Sequence, residues 1–263
     1  MKTKISKENP FGLDAKGYLW QYFANNGPSP VHLDYGAHDA HMLVKLANSG
    51  MITKGIGVDL NSVSVTNAQA FLPPEVTLLA IKKNPKLPFG DDYFDSTSIV
   101  GVLEHIKDQD YIIEELKRVT KPGGKIMVAV PGKNLLSFLD MGNWKFVFPR
   151  THKFFYVLLR SEKEYTARYT ANKDGLIGDI EAEKSWHEHF SPKQLEGLLQ
   201  RNGLIIEETD GFGFFFRIFV NLRFFLPGSA KRLMDPLIKL DSKLFDSAEI
   251  WTMTTKPSAN TWP

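Results

Sequence analysis

Residues 31–40, VHLDYGAHDA, alternate Val31, Leu33 and Tyr35 with His32 and Asp34 and then break at Gly36. A buried strand has this period of two, and a glycine at its end marks a tight turn. The stretch follows the loop composition NNGPSP at residues 25–30, and a helical pattern starts at His41-Met42-Leu43 and stops near Gly50. Gly36 is therefore expected at the carboxyl end of a first parallel strand, where open α/β sheets hold their ligands.

Outward from this turn, GIGVDL at residues 55–60 reads as the next strand, with Asp59 at its end, 23 residues after Gly36. A carboxylate in that place can accept hydrogen bonds from ribose hydroxyls. Strand, glycine, helix, strand and acid occur together in nicotinamide, flavin and adenosylmethionine proteins, and also in βαβ units that bind nothing. The pair alone leaves these alternatives open.

The rest of the amino-terminal half repeats the alternation. Residues 13–25 space Leu19, Tyr22 and Phe23 for a helix, and Ser62 to about Phe71 forms another that halts at Pro73-Pro74. VTLLAI (76–81) and FDSTSIVGV (94–102) are strands three and four, Asp108 opens a helix that Pro122-Gly123-Gly124 should close, and KIMVAV (125–130) is strand five. Five strands alternating with four helices imply a doubly wound α/β sheet with parallel pairing.

Composition sets outer limits. The chain has 263 residues, 43% of them apolar and 12% aromatic, which is ample for a sizeable core. A formal charge of +2 without a block of one sign argues against nucleic acid as the main partner. With no cysteine, disulfides, thiolate metal sites and a cysteine nucleophile are excluded, in keeping with a reducing cytoplasmic setting. The amino terminus MKTKISKENPFG lacks the apolar core of a secretory signal, and no apolar run is long enough to span a bilayer.

In order and at normal spacing, LDYGAHDA, VDL, LPFGDDYFDSTSIVGVLEHI and LKRVTKPGGKIMVAVP resemble the successive motifs of class I S-adenosylmethionine-dependent methyltransferases. The resemblance covers residues 30–131 and resumes at HFSPKQLEGLLQRNGLIIE (189–207), with EIWTMTT (249–255) as a seventh strand. It implies a Rossmann-like doubly wound sheet of seven strands, the seventh antiparallel, in one domain spanning residues 1–263. Residues 30–131 and 186–255 would form the core, and 132–185 and 211–247 helical lid insertions that set the substrate. The implied cofactor is S-adenosylmethionine. Asp34 would orient its amino group, Gly36 and the turn amides its carboxylate end, Asp59 its ribose and Asn84 its adenine, with His38, Leu60 and Gly101 completing the site.

Two departures from the family bear on this. Its glycine-rich turn reads G-x-G-x-G, but here His38 and Ala40 follow Gly36, so a side chain stands where close backbone approach wants none. Where the family often has an aspartate after strand three, this chain has Lys83 and Asn84, of which only Asn84 can accept a hydrogen bond.

The implied reaction is methyl transfer to a small or lipophilic acceptor, with oxygen as the expected nucleophile. A hydroxyl acceptor benefits from a base, and His105, His152, His187 and His189 are the candidates, with His105, His187 and His189 nearest the expected site; His187 and His189 precede Ser191, a helix cap with Pro192 at the first helical position. A structural hydrogen bond is the plain alternative for each, and no further ligands accompany the His-x-His pair, so no metal is expected. Residues 144–159 and 212–226 are unusually aromatic, the latter fitting a lid over an oily substrate, a helix in peripheral contact with a membrane, or simply a buried helix of the core. Residues 229–246 space four leucines for an amphipathic helix bent at Pro236, expected to pack on its own domain, with a partner or membrane surface as the alternative. The rival readings are a methyltransferase-like binding module without catalysis and a nicotinamide-dependent oxidoreductase.

Overall fold

The computed structural model describes residues 9–11, 14–82, 86–140, 143–144, 147–166, 188–226 and 233–258. Helix α1 (Ala15–Asn26) leads into β1 (Ser29–Tyr35), α2 (His41–Asn48), β2 (Ile52–Asp59), α3 (Ser62–Ala68), β3 (Val76–Ala80), β4 (Phe94–Val100), α4 (Gln109–Val119) and β5 (Thr120–Pro131). There follow α5 (Pro149–Leu159), α6 (Glu162–Tyr165), α7 (Pro192–Arg201), β6 (Ile205–Phe212), α8 (Phe216–Phe225), α9 (Asp235–Leu244) and β7 (Glu249–Thr255). The seven strands form one sheet in the order β3-β2-β1-β4-β5-β7-β6, in which β7 runs antiparallel to both of its neighbours. This is the expected doubly wound architecture, and its order reverses between β1 and β4.

Alternation along the central strands builds two apolar layers. Ile126, Val128 and Val130 of β5 join Leu33 and Tyr35 of β1 under α4 and α7, packed by Ile112, Leu116, Leu195 and Leu199. Met127 and Ala129 face the other way, towards α1 and α2, with Leu19, Phe23, Leu43 and Leu46. Leu116 is fully buried, and truncation of such a side chain to alanine costs about 2–5 kcal/mol. Local signals set the helix ends: Asp14 caps α1 through the Gly17 amide at 2.8 Å, and Ser191 and Gln194 make a reciprocal capping box at α7.

Two boundaries differ from the expectation. Helix α4 ends at Val119 because Thr120 already pairs with Phe94, so Pro122-Gly123-Gly124 lies within the irregular start of β5 rather than closing the helix. Pro236 sits in the first turn of α9, where its missing N–H would have no helical acceptor, so it opens that helix instead of bending it. Helix α9 packs on the domain as expected, but through its polar side: Asp241 and Ser242 are buried, and Leu233, Leu237, Leu240 and Leu244 are exposed.

The motifs LPFG and LKRV meet through Arg118. Its guanidinium donates to the carbonyls of Leu87 (3.2 Å) and Phe89 (2.9 Å) and to the Glu115 carboxylate, which in turn accepts the Leu87 amide at 2.8 Å. This anchors the irregular segment between β3 and β4 to α4 and fixes the entry into β4.

Candidate active site

Gly36 after β1, Asp59 ending β2, Gly101 after β4 and Pro131 ending β5 all lie at the carboxyl edge of the parallel strands. Because β7 is antiparallel, its first residue, Glu249, comes to the same edge opposite Pro131. The topology alone thus gathers residues distant in sequence along one crevice.

The turn holds three left-handed residues although only the first of them is glycine. Gly36, His38 and Ala40 have φ of 82°, 52° and 59°, all left-handed. A Cβ at Gly36 would overlap Val102 Cγ2 and lie 3.2 Å from Val102 Cβ, so only glycine fits there. The His38 ring turns to Ser64 Oγ on α3 at 3.3 Å. The amides of Gly36 and Ala37 donate to Val58 O, and that of His38 donates to Asp59 Oδ2 at 2.7 Å. These three amides are therefore engaged with β2, which separates this turn from the expected picture of amides free to meet a carboxylate.

Asp59 holds the crevice together. One oxygen takes the His38 amide and the other the Asn61 amide at 2.8 Å. A carboxylate has about four lone-pair sites, so acceptor capacity remains for hydroxyl donors. Leu60 is exposed beside it, whereas Asn84 and His187 lie outside the described residues.

Asp34 is buried and accepts from Ser98 Oγ at 2.9 Å. Ser98 also contacts His32 Nε2 at 3.0 Å, and His32 Nδ1 meets Ser96 Oγ at 2.6 Å, so a buried polar chain runs beneath the turn. Burial pushes the Asp34 carboxyl up to about 7 against the opposing hydrogen bond of Ser98 and the charge of Lys16. Burial likewise pulls the His32 imidazole down to about 3, which makes it a neutral link in the chain.

Beside Gly101, next to Val102 and so next to the turn, opens a cavity of about 310 Å³. Apolar walls come from Val130, Leu139 and Phe216, and three carboxylates, Glu104, Asp140 and Glu249, enter from separate elements. Arg217 of α8 also borders it, but its guanidinium is buried and donates to the carbonyls of Gly132 (2.9 Å) and Ala248 (3.0 Å). Glu249 is enclosed by protein on the sides away from the cavity, and burial, aided by the charges of Asp14 and Glu104, pushes its carboxyl up to about 8.

Two of the expected histidine bases stand behind these carboxylates. His189 Nε2 meets Asp140 Oδ2 at 2.8 Å, and His105 Nε2 lies 3.8 Å from Glu104 Oε1, while Asp140 and Glu104 are the groups that line the cavity. Sequence reasoning passed over Glu104, Asp140, Arg217 and Glu249. For Glu249 the signal was present, because a strand inserted antiparallel must begin where its parallel neighbours end.

The segment 212–226 faces both ways, since Phe215 and Leu222 are exposed while other side chains turn inward. Phe212 and Arg217 are buried, Phe216 lines the cavity, and Asp241 of α9 accepts the amides of Phe214 (3.0 Å) and Phe215 (3.1 Å). Among the described residues no helix is long and apolar enough to cross a membrane, and no group of three or more metal-ligating side chains is present.

Comparison with known proteins agrees with this geometry. Residues 33–128 match the family of the methyltransferase domain. A demethylmenaquinone methyltransferase of Mycobacterium bovis is 33% identical over 102 residues, 39% of this chain and 41% of the relative. A ubiquinone/menaquinone biosynthesis C-methyltransferase of Chromobacterium violaceum is 38% identical over 92 residues, 33% of this chain and 38% of the relative. The chain thus matches less than half the length of these curated relatives. In fold it is similar to phosphoethanolamine N-methyltransferase 2 of Haemonchus contortus, solved with S-adenosyl-L-methionine, at a TM-score of 0.56 and 18% identity over 92% of this chain and 52% of that one.

Proposed function

We propose that this chain, whose residues 33–128 are a methyltransferase domain of the class I S-adenosylmethionine-dependent family, methylates the oxygen of a small hydroxy compound with an apolar body. The observation that carries this reading is the cavity beside Gly101, with apolar walls and carboxylates at the end of the crevice that runs from Gly36 to Asp59.

The residues present fit the cofactor. The turn at residues 36–40 holds three left-handed residues, Asp59 has acceptor capacity for ribose hydroxyls, and Leu60 offers an apolar surface beside it. Gly101 presents bare backbone between the crevice and the cavity. Asp34, beneath the turn, holds its position through Ser98 and acts as a positioning group for the cofactor's amino end. When bound, S-adenosylmethionine supplies an electrophilic methyl group on a sulfonium.

The chain's own work is then alignment and proton removal. Val130, Leu139 and Phe216 seat the acceptor's apolar part and exclude water. Asp140 takes the hydroxyl proton as the oxygen attacks, and His189 orients its carboxylate. An acceptor that is a quinol loses the same proton and then offers both oxygen and ring carbon, so carbon methylation, the activity for which the C. violaceum relative is named, is the second reading.

The test is transfer of labelled methyl from S-adenosylmethionine to a panel of soluble phenols and hydroquinones, with the methylated atom located by mass spectrometry. Product methylated on oxygen, lost in Asp140→Asn with cofactor affinity retained, supports the reading. Methylation on ring carbon selects the second reading. Tight cofactor binding without transfer to any acceptor points to the non-catalytic module.

A further inference from the structure

Helix α5 is built inside out. Its buried side chains are His152 and Tyr156, whose rings lie 6.1 Å apart, while Phe154 (63% exposed), Leu158 (67%), Phe155 and Leu159 face outward. Phe148, just before the helix, is 58% exposed. With α6, the helix borders a groove of about 700 Å³ lined by Phe154, Val157 and Leu158 together with Arg150, Lys153 and Glu162.

Charge decides what can cover this face. Over residues 149–165 four exposed cations, Arg150, Lys153, Arg160 and Lys163, meet two carboxylates, Glu162 and Glu164. Glu162 is tied to Lys153 at 3.0 Å, and Glu164 accepts from the Tyr156 hydroxyl at 3.3 Å. A symmetric contact with a second copy would set this basic patch against itself. Exposed phenylalanines and leucines framed by lysine and arginine suit the boundary between lipid headgroups and acyl chains.

We propose that α5 and α6 form a docking surface for an anionic membrane. Phe154 and Leu158 enter the acyl boundary, and Arg150, Lys153 and Lys163 meet the headgroups. The surface is separate from 212–226, the segment expected to make such contact, whose Phe212 and Arg217 are buried. It rests on the exposed face of α5 and stands independently of the acceptor assigned to the cavity.

The test is co-sedimentation of the full chain with vesicles of phosphatidylcholine containing about 30 mol% phosphatidylglycerol, against phosphatidylcholine alone. The expected result is binding to the anionic vesicles that falls as salt is raised. Phe154→Ser with Leu158→Ser should weaken it at least about tenfold, and neutralising Arg150 or Lys153 to Gln by about fivefold each, with Tm unchanged. No sedimentation at low salt, or sedimentation untouched by these variants, overturns the proposal. So does a loss confined to Leu237→Ser with Leu240→Ser, which would move the contact to α9. A concentration-dependent dimer broken by the Phe154 and Leu158 variant would give the face to a second copy. A fall in its Tm without vesicles would give the face to packing within the chain.

Discussion

Replacing Gly36 with alanine should cost about 2–5 kcal/mol of stability, in two separable parts. The residue's φ is 82°, and an L side chain held in the left-handed region costs about 1–2 kcal/mol. The added methyl also overlaps Val102 Cγ2 and lies 3.2 Å from Val102 Cβ and Cγ1, and forcing a methyl into packed side chains costs about 1–3 kcal/mol. Urea unfolding of Gly36→Ala, Val102→Ala and the double variant separates the parts. The double variant should recover the overlap but keep the backbone penalty, so Val102→Ala should lessen the damage done by Gly36→Ala by about 1–3 kcal/mol. A loss below about 1 kcal/mol in the single variant, or no coupling in the cycle, would refute the close approach of Val102 to the turn.

Three further outcomes follow from the same geometry. His38→Gly relieves a left-handed histidine and should fold with stability equal to the parent or higher by about 1 kcal/mol, with cofactor affinity no weaker; a collapse of affinity in calorimetry would make His38 a contact. Glu249 carries its proton in the folded state up to about pH 8 but releases it near the ordinary glutamate value of about 4.5 when unfolded, so the folded state binds more protons in this window and stability falls as pH rises through it. Asp34, raised to about 7, adds to the same slope, and Glu249→Gln should flatten it by roughly 3–5 kcal/mol across the window, as read by unfolding at pH 5 and pH 8. Phe216→Ser should raise the acceptor's KM at least about tenfold while shifting cofactor affinity less than about twofold, because Phe216 walls the cavity and the proposed ribose site is at Asp59; equal effects on both would remove Phe216 from the acceptor side.

The fold was legible in the sequence wherever one period dominated. Strands β1 to β5 are apolar runs punctuated by glycine and proline, and their order follows from right-handed crossovers. The helix end misjudged at Pro122-Gly123-Gly124 was decided by the pairing of Thr120 with Phe94, a long-range contact that local breakers do not report. The strand-end positions Gly36, Asp59 and Gly101, on which the proposed site is built, were readable for the same reason. The cavity was not, because Glu104, Asp140 and Glu249 converge from three elements, and a histidine beside a carboxylate reads in sequence as the base when the structure puts the carboxylate in front. The outward leucines of α9 were misread because an amphipathic helix reveals its apolar face without revealing what covers it.

The central claim is that the crevice from Gly36 to Asp59 holds S-adenosylmethionine. Calorimetric titration of the full chain with S-adenosylmethionine, S-adenosylhomocysteine and NAD tests it most directly. One site is expected for the first two, weakened in Asp59→Ala by about 1.5–3 kcal/mol while the variant remains folded, and no heat with NAD. Binding of NAD alone, or S-adenosylmethionine affinity unchanged in a folded Asp59→Ala chain, would contradict it.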